Sequence, residues 1–373
     1  MSKDMIFWFE NPPGISRGVF NEVTNQWDGK CYYISMKDTR AERKAINWDK
    51  GGYGKAELII AENLKNASQY LNDFLERHRE DIHIFAGYKG QTHIYLDKLI
   101  SLNSKKLFLW AERPIDSSFG RKLYANIVHR YYALKYRSKV QAFFALGKSG
   151  VELYNKLGWK KNCLFPFLYL PISNLDTQIK EKENGNIIKF IYVGRFSKSK
   201  GLNILMEACA QMKTSNWTLD LVGGYGELAE KVKIWAESME SVSFLGRWDI
   251  SQVESKLQEY DVCIVPSIFD GWNVTANKAI NAGIGTIITD TAGSDDLIEA
   301  SGAGIVIKGN SKNQLSKAMD WSVNNPEKVR AWKRKALEYK NSWNENESAH
   351  YFISVINCAL GESTHIPEVP WLK

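Results

Sequence analysis

Long apolar runs are what this 373-residue chain most lacks. The run nearest the start, Met5–Phe9, is far too short for a signal-peptide core, and no small-residue cleavage site follows it. No stretch approaches the roughly 18–20 apolar residues of a spanning helix, so a soluble or peripheral protein is expected. Cysteine is sparse: Cys31, Cys163, Cys209, Cys263 and Cys358 are scattered, odd in number and without a CxxC pair. Three of them (Cys209, Cys263, Cys358) sit in apolar runs, where a free thiol behaves as a small hydrophobe. That pattern fits a reducing cytoplasm and argues against zinc. The six histidines show no metal-ligand spacing either, and no metal or cofactor is expected. Only 9 prolines in a chain that is 44% hydrophobic and 24% charged exclude long disordered stretches.

What is present is enough chain for two domains and an uneven charge. The formal charge is +7, but residues 1–170 hold 27 Lys and Arg against 17 Asp and Glu, and residues 171–373 hold 22 against 25. The basic character therefore belongs to the N-terminal half.

Short apolar runs alternate with helical patterns most clearly in the second half: Ile187–Val193, Trp217–Gly223, Val242–Gly246, Asp261–Ser267, Gly285–Asp290 and Gly304–Lys308. The segments between them can hold crossover helices, for instance Leu202–Met212 and Asn313–Val323. This predicts an α/β chain with a parallel, doubly wound sheet. The first half repeats the theme, with strands at Met5–Glu10, Ile82–Gly87, Lys106–Ala111 and Ala142–Leu146. It also holds a helix-like stretch Glu57–His78 and a long helix from Arg121 to about Lys139. The reading is two Rossmann-like domains facing across a cleft: 1–173, a polar linker 174–186, and 187–345. A C-terminal helix and tail, 346–373, is expected to pack back on the first domain, with Glu362–Lys373 extended along the surface.

Two loops carry chemistry. Gly194-Arg195-Phe196-Ser197-Lys198-Ser199-Lys200-Gly201 directly follows a strand and precedes a helix, where doubly wound folds bind ligands. Arg195 offers a planar fork and Lys200 a point charge, a pair suited to a diphosphate, although a solvated basic loop reads the same. The GxxxxGK[ST] spacing of a P-loop is absent. The second loop, Ile268-Phe269-Asp270-Gly271-Trp272-Asn273-Val274, again leads from a strand into a helix start, Thr275–Ala282, closed by Gly283. Two anion-suited sites in one domain are hard to explain structurally.

The runs GRFSKSKGLNILMEA, LVGGYGE, FLGRW and PSIFDGWNVTANKAINAG resemble, in order and spacing over residues 187–340, the C-terminal domain of retaining GT-B glycosyltransferases of family 4, also called glycosyl transferases group 1. The resemblance implies that Arg195 and Lys200, beside Gly194, hold a donor diphosphate and neutralise the leaving group. Asp270 takes the place of a carboxylate contacting the donor sugar. Gly271, Trp272, Asn273 and Val274 would offer backbone N–H groups, Arg247 and Trp248 would meet the nucleotide base, and Gly14 would allow close approach from the first domain. The implied reaction is transfer of a sugar from a nucleotide-diphosphate donor to a lipid-linked or polysaccharide acceptor with retention, without a metal, in assembly of bacterial surface polysaccharide.

Two departures stand out. The family's second glutamate, which accepts from ribose hydroxyls, is Lys278 here, and lysine has no acceptor. Either the ribose is held otherwise, for example by Asn277, or the nucleotide is unusual, or the site is degenerate and the chain is a scaffold in a glycan-assembly complex. A sugar-nucleotide epimerase is a third, weaker reading. The family's histidine after an N-domain strand is also missing. Glu112 is the nearest titratable group for an acceptor-activating or oxocarbenium-stabilising role, with an ion pair to Arg113 the plain alternative.

Between Asp116 and Glu152 there is no acidic residue, while Arg121, Lys122, Arg130, Lys135, Arg137, Lys139 and Lys148 interleave with Tyr124, Tyr131, Tyr132 and Tyr136. Such a helix suits an anionic membrane surface and an anionic lipid-linked acceptor. It lacks any nucleic-acid motif, and no nucleic-acid partner is expected. The expected location is the cytoplasmic face of the plasma membrane, held peripherally.

Overall fold

The computed structural model describes residues 3–14, 16–39, 52–114, 119–168 and 187–372, with the side chains of 119–123 left aside. The backbone groups into two units, Met1–Ile172 together with Asn344–Lys373, and Ser173–Trp343. The expected linker 174–186 lies outside the described residues.

The first unit is built on seven parallel strands: β1 (Met5–Phe9), β2 (Cys31–Ser35), β3 (Glu57–Ile60), β4 (Ile82–Ala86), β5 (Leu107–Ala111), β6 (Ala142–Leu146) and β7 (Leu164–Phe167). They lie in the order β3-β2-β1-β4-β5-β6-β7. Sequences such as MIFWF and AFFAL are buried at every position, as a parallel sheet covered on both faces demands. The second unit has six parallel strands: β8 (Ile188–Val193), β9 (Trp217–Val222), β10 (Val242–Gly246), β11 (Val262–Val265), β12 (Gly285–Thr289) and β13 (Gly304–Ile307). Their order is β10-β9-β8-β11-β12-β13. Each unit thus has a point where the winding reverses, between β1 and β4 and between β8 and β11, and ligands in such folds bind outside the carboxyl ends of those strands.

The first unit closes on its C-terminal segment. Helix Glu345–Ala359 starts with a capping box, in which the Asn344 side chain accepts from Glu347 N–H and the Glu347 carboxylate accepts from Asn344 N–H. Its Phe352 is fully buried and stacks on Phe144 with ring centroids 4.0 Å apart, with Phe7, Phe20 and Phe167 around it. The tail does not simply lie along the surface: Trp371 is wholly buried, edge-on to Tyr351 at 5.7 Å.

Other local expectations need correction. Glu57–His78 is not one helix: Glu57–Ile60 pairs with β2, Ala61–Asn63 forms a 3₁₀ turn, and the helix runs Ala67–His78. The strands β2 and β7 had no sequence-based counterpart. β7 contains Pro166, which an edge strand tolerates because one row of its backbone groups needs no partner. His78, spaced like no metal ligand in the sequence, meets Asp81 at 2.9 Å and Asp4 at 3.7 Å at the amino ends of β1 and β4. Both carboxylates also accept backbone N–H groups, Asp4 from Lys30 and Asp81 from Asp4, so the three tie the amino ends of these central strands together.

Candidate functional site

Three loops converge at the carboxyl ends of β8, β9 and β11. They touch backbone to backbone. A Cβ on Gly201 (φ +73°) would lie 1.8 Å from the Pro266 carbonyl oxygen, and one on Gly223 (φ +153°) would lie 2.0 Å from that of Gly194. Only glycine fits such contacts. Ile268 N–H donates to the Ser199 carbonyl at 2.9 Å, and Phe196 N–H donates to that of Tyr225 at 2.8 Å. The Thr275 hydroxyl bonds the Val193 carbonyl at 3.1 Å, pinning the following helix to β8.

On this frame Lys200 and Asp270, 70 residues apart in sequence, form a short ion pair with side chains only 20% and 13% exposed. The same Asp270 oxygen accepts from Asn273 Nδ2 at 3.0 Å. Asn273 caps helix Val274–Asn281 by accepting from Thr275 N–H at 3.0 Å. The N–H groups of Gly271, Asn273 and Val274 donate to no group among the described residues, leaving donors at a helix start beside a cation. Arg195 is exposed, and its guanidinium makes no hydrogen bond or ion pair among the described residues. Its carbonyl is fixed by the buried Tyr192 hydroxyl at 2.7 Å, a phenol whose ionisation burial and then Asp270 push upward. Cys263 beneath the site is pushed up to about 12 by burial, so it is a neutral thiol.

The remaining sequence-picked residues of this unit fall nearby in chain but differ in role. Trp272 is buried, and its indole N–H donates to Asn277 Oδ1 at 2.9 Å. Asn277 is fully buried and so committed, which removes it as a ribose ligand. Lys278 does not project freely: its ammonium lies 3.3 Å from Glu254 Oε1 and 3.5 Å from the Ile250 carbonyl. Arg247 is exposed and stacks over Tyr225 at 4.6 Å from the ring centroid, while Lys256 lies over Trp248 at 5.0 Å. Tyr225 and Glu254 were not legible as site residues. The signal for Tyr225 was an aromatic residue inside the glycine turn GGYG; for Glu254 there was none.

In the first unit Gly14 accepts from Arg17 N–H at 3.2 Å at the end of β1, and exposed Glu112 follows β5 with its carbonyl bonded by the Tyr154 hydroxyl at 2.6 Å. Helix Phe119–Tyr136 carries the basic stretch. Arg121 and Lys122 have side chains outside the described residues, and Arg130 and Lys139 are exposed. Two expected surface cations are engaged instead: Lys135 pairs with Asp97 at 2.6 Å, and half-buried Arg137 donates to the Gly158 carbonyl at 3.3 Å. The aromatic residues also divide. Tyr136 is buried, whereas Tyr124, Ile127, Tyr131 and Leu134 form an exposed stripe at helical spacing, each at least 59% exposed. Ile127 and Leu134 were not singled out from the sequence.

Comparisons with known proteins bear on the fold and on the segment that builds these loops. Residues 174–339 match the family described as glycosyl transferases group 1. An uncharacterised 41.2 kDa protein of the cps region of Klebsiella pneumoniae is 24% identical over 225 residues, 58% of this chain and 55% of that protein. A lipopolysaccharide 1,6-galactosyltransferase of Escherichia coli K12 is 27% identical over 142 residues, 35% of this chain and 38% of that enzyme. The chain thus spans about half or less of the length of the curated relatives it matches. Among solved structures, Anabaena Alr3699/HepE in complex with UDP superposes with a TM-score of 0.66 at 14% identity, covering 96% of this chain and 98% of that one. The two doubly wound sheets are those of the GT-B fold, and the segment 174–339 that builds the converging loops matches the glycosyl transferases group 1 family.

Proposed function

We propose that this protein is a retaining glycosyltransferase that moves a sugar from a nucleoside-diphosphate donor to a lipid-linked or polysaccharide acceptor in bacterial surface polysaccharide assembly. The observation that carries the reading is the grouping of Lys200, Asp270 and the open helix start at Gly271–Val274 beside exposed Arg195, all outside β8 and β11. Arg195 and Lys200 would hold the diphosphate, with Gly194 allowing the backbone to approach. As the anomeric C–O bond breaks, charge builds on the departing phosphate oxygen, and fixed cations and N–H donors stabilise it. The acceptor hydroxyl attacks the same face of the anomeric carbon, its oxygen forming the new bond while its proton passes to the leaving diphosphate. Asp270, already bonded to Lys200 and Asn273, would accept from sugar hydroxyls and orient the donor. Glu112 is the candidate for activating the acceptor. Two cations and helix-start donors can balance the diphosphate without a metal.

UDP is the first nucleotide to test, since HepE was solved with it. The acceptor class follows the lipopolysaccharide galactosyltransferase relative. The stripe Tyr124, Ile127, Tyr131 and Leu134, flanked by Arg130 and Lys139, suits docking on the anionic cytoplasmic face of a membrane, apolar side chains entering the headgroup layer and cations meeting phosphate. Sedimentation with vesicles of mixed neutral and anionic lipid should fall sharply in Tyr131→Ser with Leu134→Ser. A melting-temperature panel with UDP, GDP and dTDP and their sugars, followed by transfer assays, tests the enzyme reading. No shift and no transfer or hydrolysis with any of them would refute it. Lys278 favours a second reading, a non-catalytic scaffold, which the same panel separates from the first.

A further inference from the structure

We infer that Glu254, held in place by Lys278, is the carboxylate that accepts hydrogen bonds from the ribose of a bound nucleoside diphosphate. The acceptor that residue 278 lacks is supplied from a neighbouring helix. This rests on the nucleotide-sugar reading above and names the residue that would recognise the sugar ring of the nucleotide. Lys278 and Glu254 are a nearly buried pair, with side chains 12% and 7% exposed. Burying two charges is expensive, and an apolar pair of similar volume would tie the same two helices without that cost. The pair is also lopsided. The Lys278 ammonium has both the Ile250 carbonyl and Glu254 Oε1, whereas Glu254 Oε2 makes no hydrogen bond among the described residues. An ionised carboxylate has about four acceptor sites, and one is used here.

Position points the same way. Glu254 opens out of the segment that follows Arg247 and Trp248, and Lys278 lies one turn into the helix whose start holds Asn273 next to Asp270 and Lys200. A ligand with its diphosphate at that helix start and its base at Arg247 and Trp248 has its middle portion by the pair. In a nucleoside diphosphate the middle is a ribose, a neutral diol that offers two O–H donors and suits a carboxylate. Lys278 could only donate to it. Its part is positioning: it holds the Glu254 carboxylate in place.

The test compares UDP and GDP with their 2′-deoxy and 3′-deoxy counterparts by calorimetry on the full chain. The native protein should prefer the ribonucleotide roughly ten- to a hundredfold, the range for a hydrogen bond to a charged group. Replacing the pair by Glu254→Leu with Lys278→Met should keep the melting temperature and abolish that preference. Exchanging the pair, Glu254→Lys with Lys278→Glu, should keep the preference because a carboxylate remains at the same place. A preference unchanged in the apolar variant, or native binding with no ribose preference, overturns the inference while leaving the transferase reading intact. If neither UDP nor GDP binds the native protein, both fall together.

Discussion

Replacing Lys200 by Met separates what the Lys200–Asp270 pair does for stability from what it does for chemistry. The pair is mostly out of solvent, at 20% and 13% exposure, and without the ammonium the Asp270 carboxylate still accepts from the Asn273 amide. Removing one partner of a fully buried pair costs ~3–5 kcal/mol; with residual solvent and the Asn273 bond, about 1–3 kcal/mol is expected. For a unit of this size that is roughly a 3–10 °C fall in the melting transition. Adding Asp270→Asn removes the buried carboxylate charge left without the ammonium and should restore most of that loss. Activity should not follow stability. Loss of one preorganised donor to a developing charge costs about 10²–10³ in kcat, and the double variant should be at least as impaired as Lys200→Met. The assay is calorimetry on the two single variants and the double, alongside transfer or donor hydrolysis at saturating donor. A double variant with native turnover, or a Lys200→Met protein that transfers sugar at the native rate, would refute the assignment of Lys200 to the leaving group.

Three further outcomes follow from the packing. Gly201→Ala places a methyl group 1.8 Å from the Pro266 oxygen in a left-handed backbone, so the loops must part. About 2–4 kcal/mol of destabilisation and a weakened UDP response are expected, read by denaturant unfolding and calorimetry. Phe352→Ala removes the ring stacked on Phe144 and should cost ~3–5 kcal/mol in the first unit while leaving nucleotide binding by the second intact. Burial pushes His83 down to about 4, and burial together with Lys89 does the same to His129. Unfolded, both bind protons below about 6.5. The unfolded chain therefore holds more protons between those values, and stability is full above pH 6.5 and is lost as pH falls toward 4. Melting curves from pH 7 to 4.5 should show the decline, and His129→Gln should shallow it.

Much of the architecture was readable because buried parallel strands leave continuous apolar runs. IIKFIYV, WTLDLV and GTIIT could hardly be anything else. Glu57–Ile60 was unreadable for the converse reason: ELIIAENLKNASQYLNDFLERH has helical periodicity throughout, and only pairing with Cys31–Ser35, a tertiary event, draws its first four residues into the sheet. At the site, Arg195, Lys200 and Asp270 could be placed on loops after strands by spacing alone. That Lys200 and Asp270 bond each other, or that Lys278 meets Glu254 from a different helix, depends on loop crossings that no local pattern encodes. The stripe on helix Phe119–Tyr136 was half visible. Charge and tyrosines were evident, but which tyrosines face inward is settled by contacts such as Tyr136 with Asp97 at 2.9 Å.

The split of the first unit into Met1–Ile172 and Asn344–Lys373 bears on how the chain is made. A ribosome releases β1 to β7 long before it releases Phe352 and Trp371. At ~5–20 residues per second, the intervening Ser173–Trp343 takes roughly 10 to 35 s to emerge. Through that interval Phe7, Phe20, Phe144 and Phe167 lack their cover. The second unit, contiguous in sequence, can finish first. Nascent chains of this protein should therefore depend on chaperones at the first unit and not the second, and the last thirty residues act as the latch that ends that dependence.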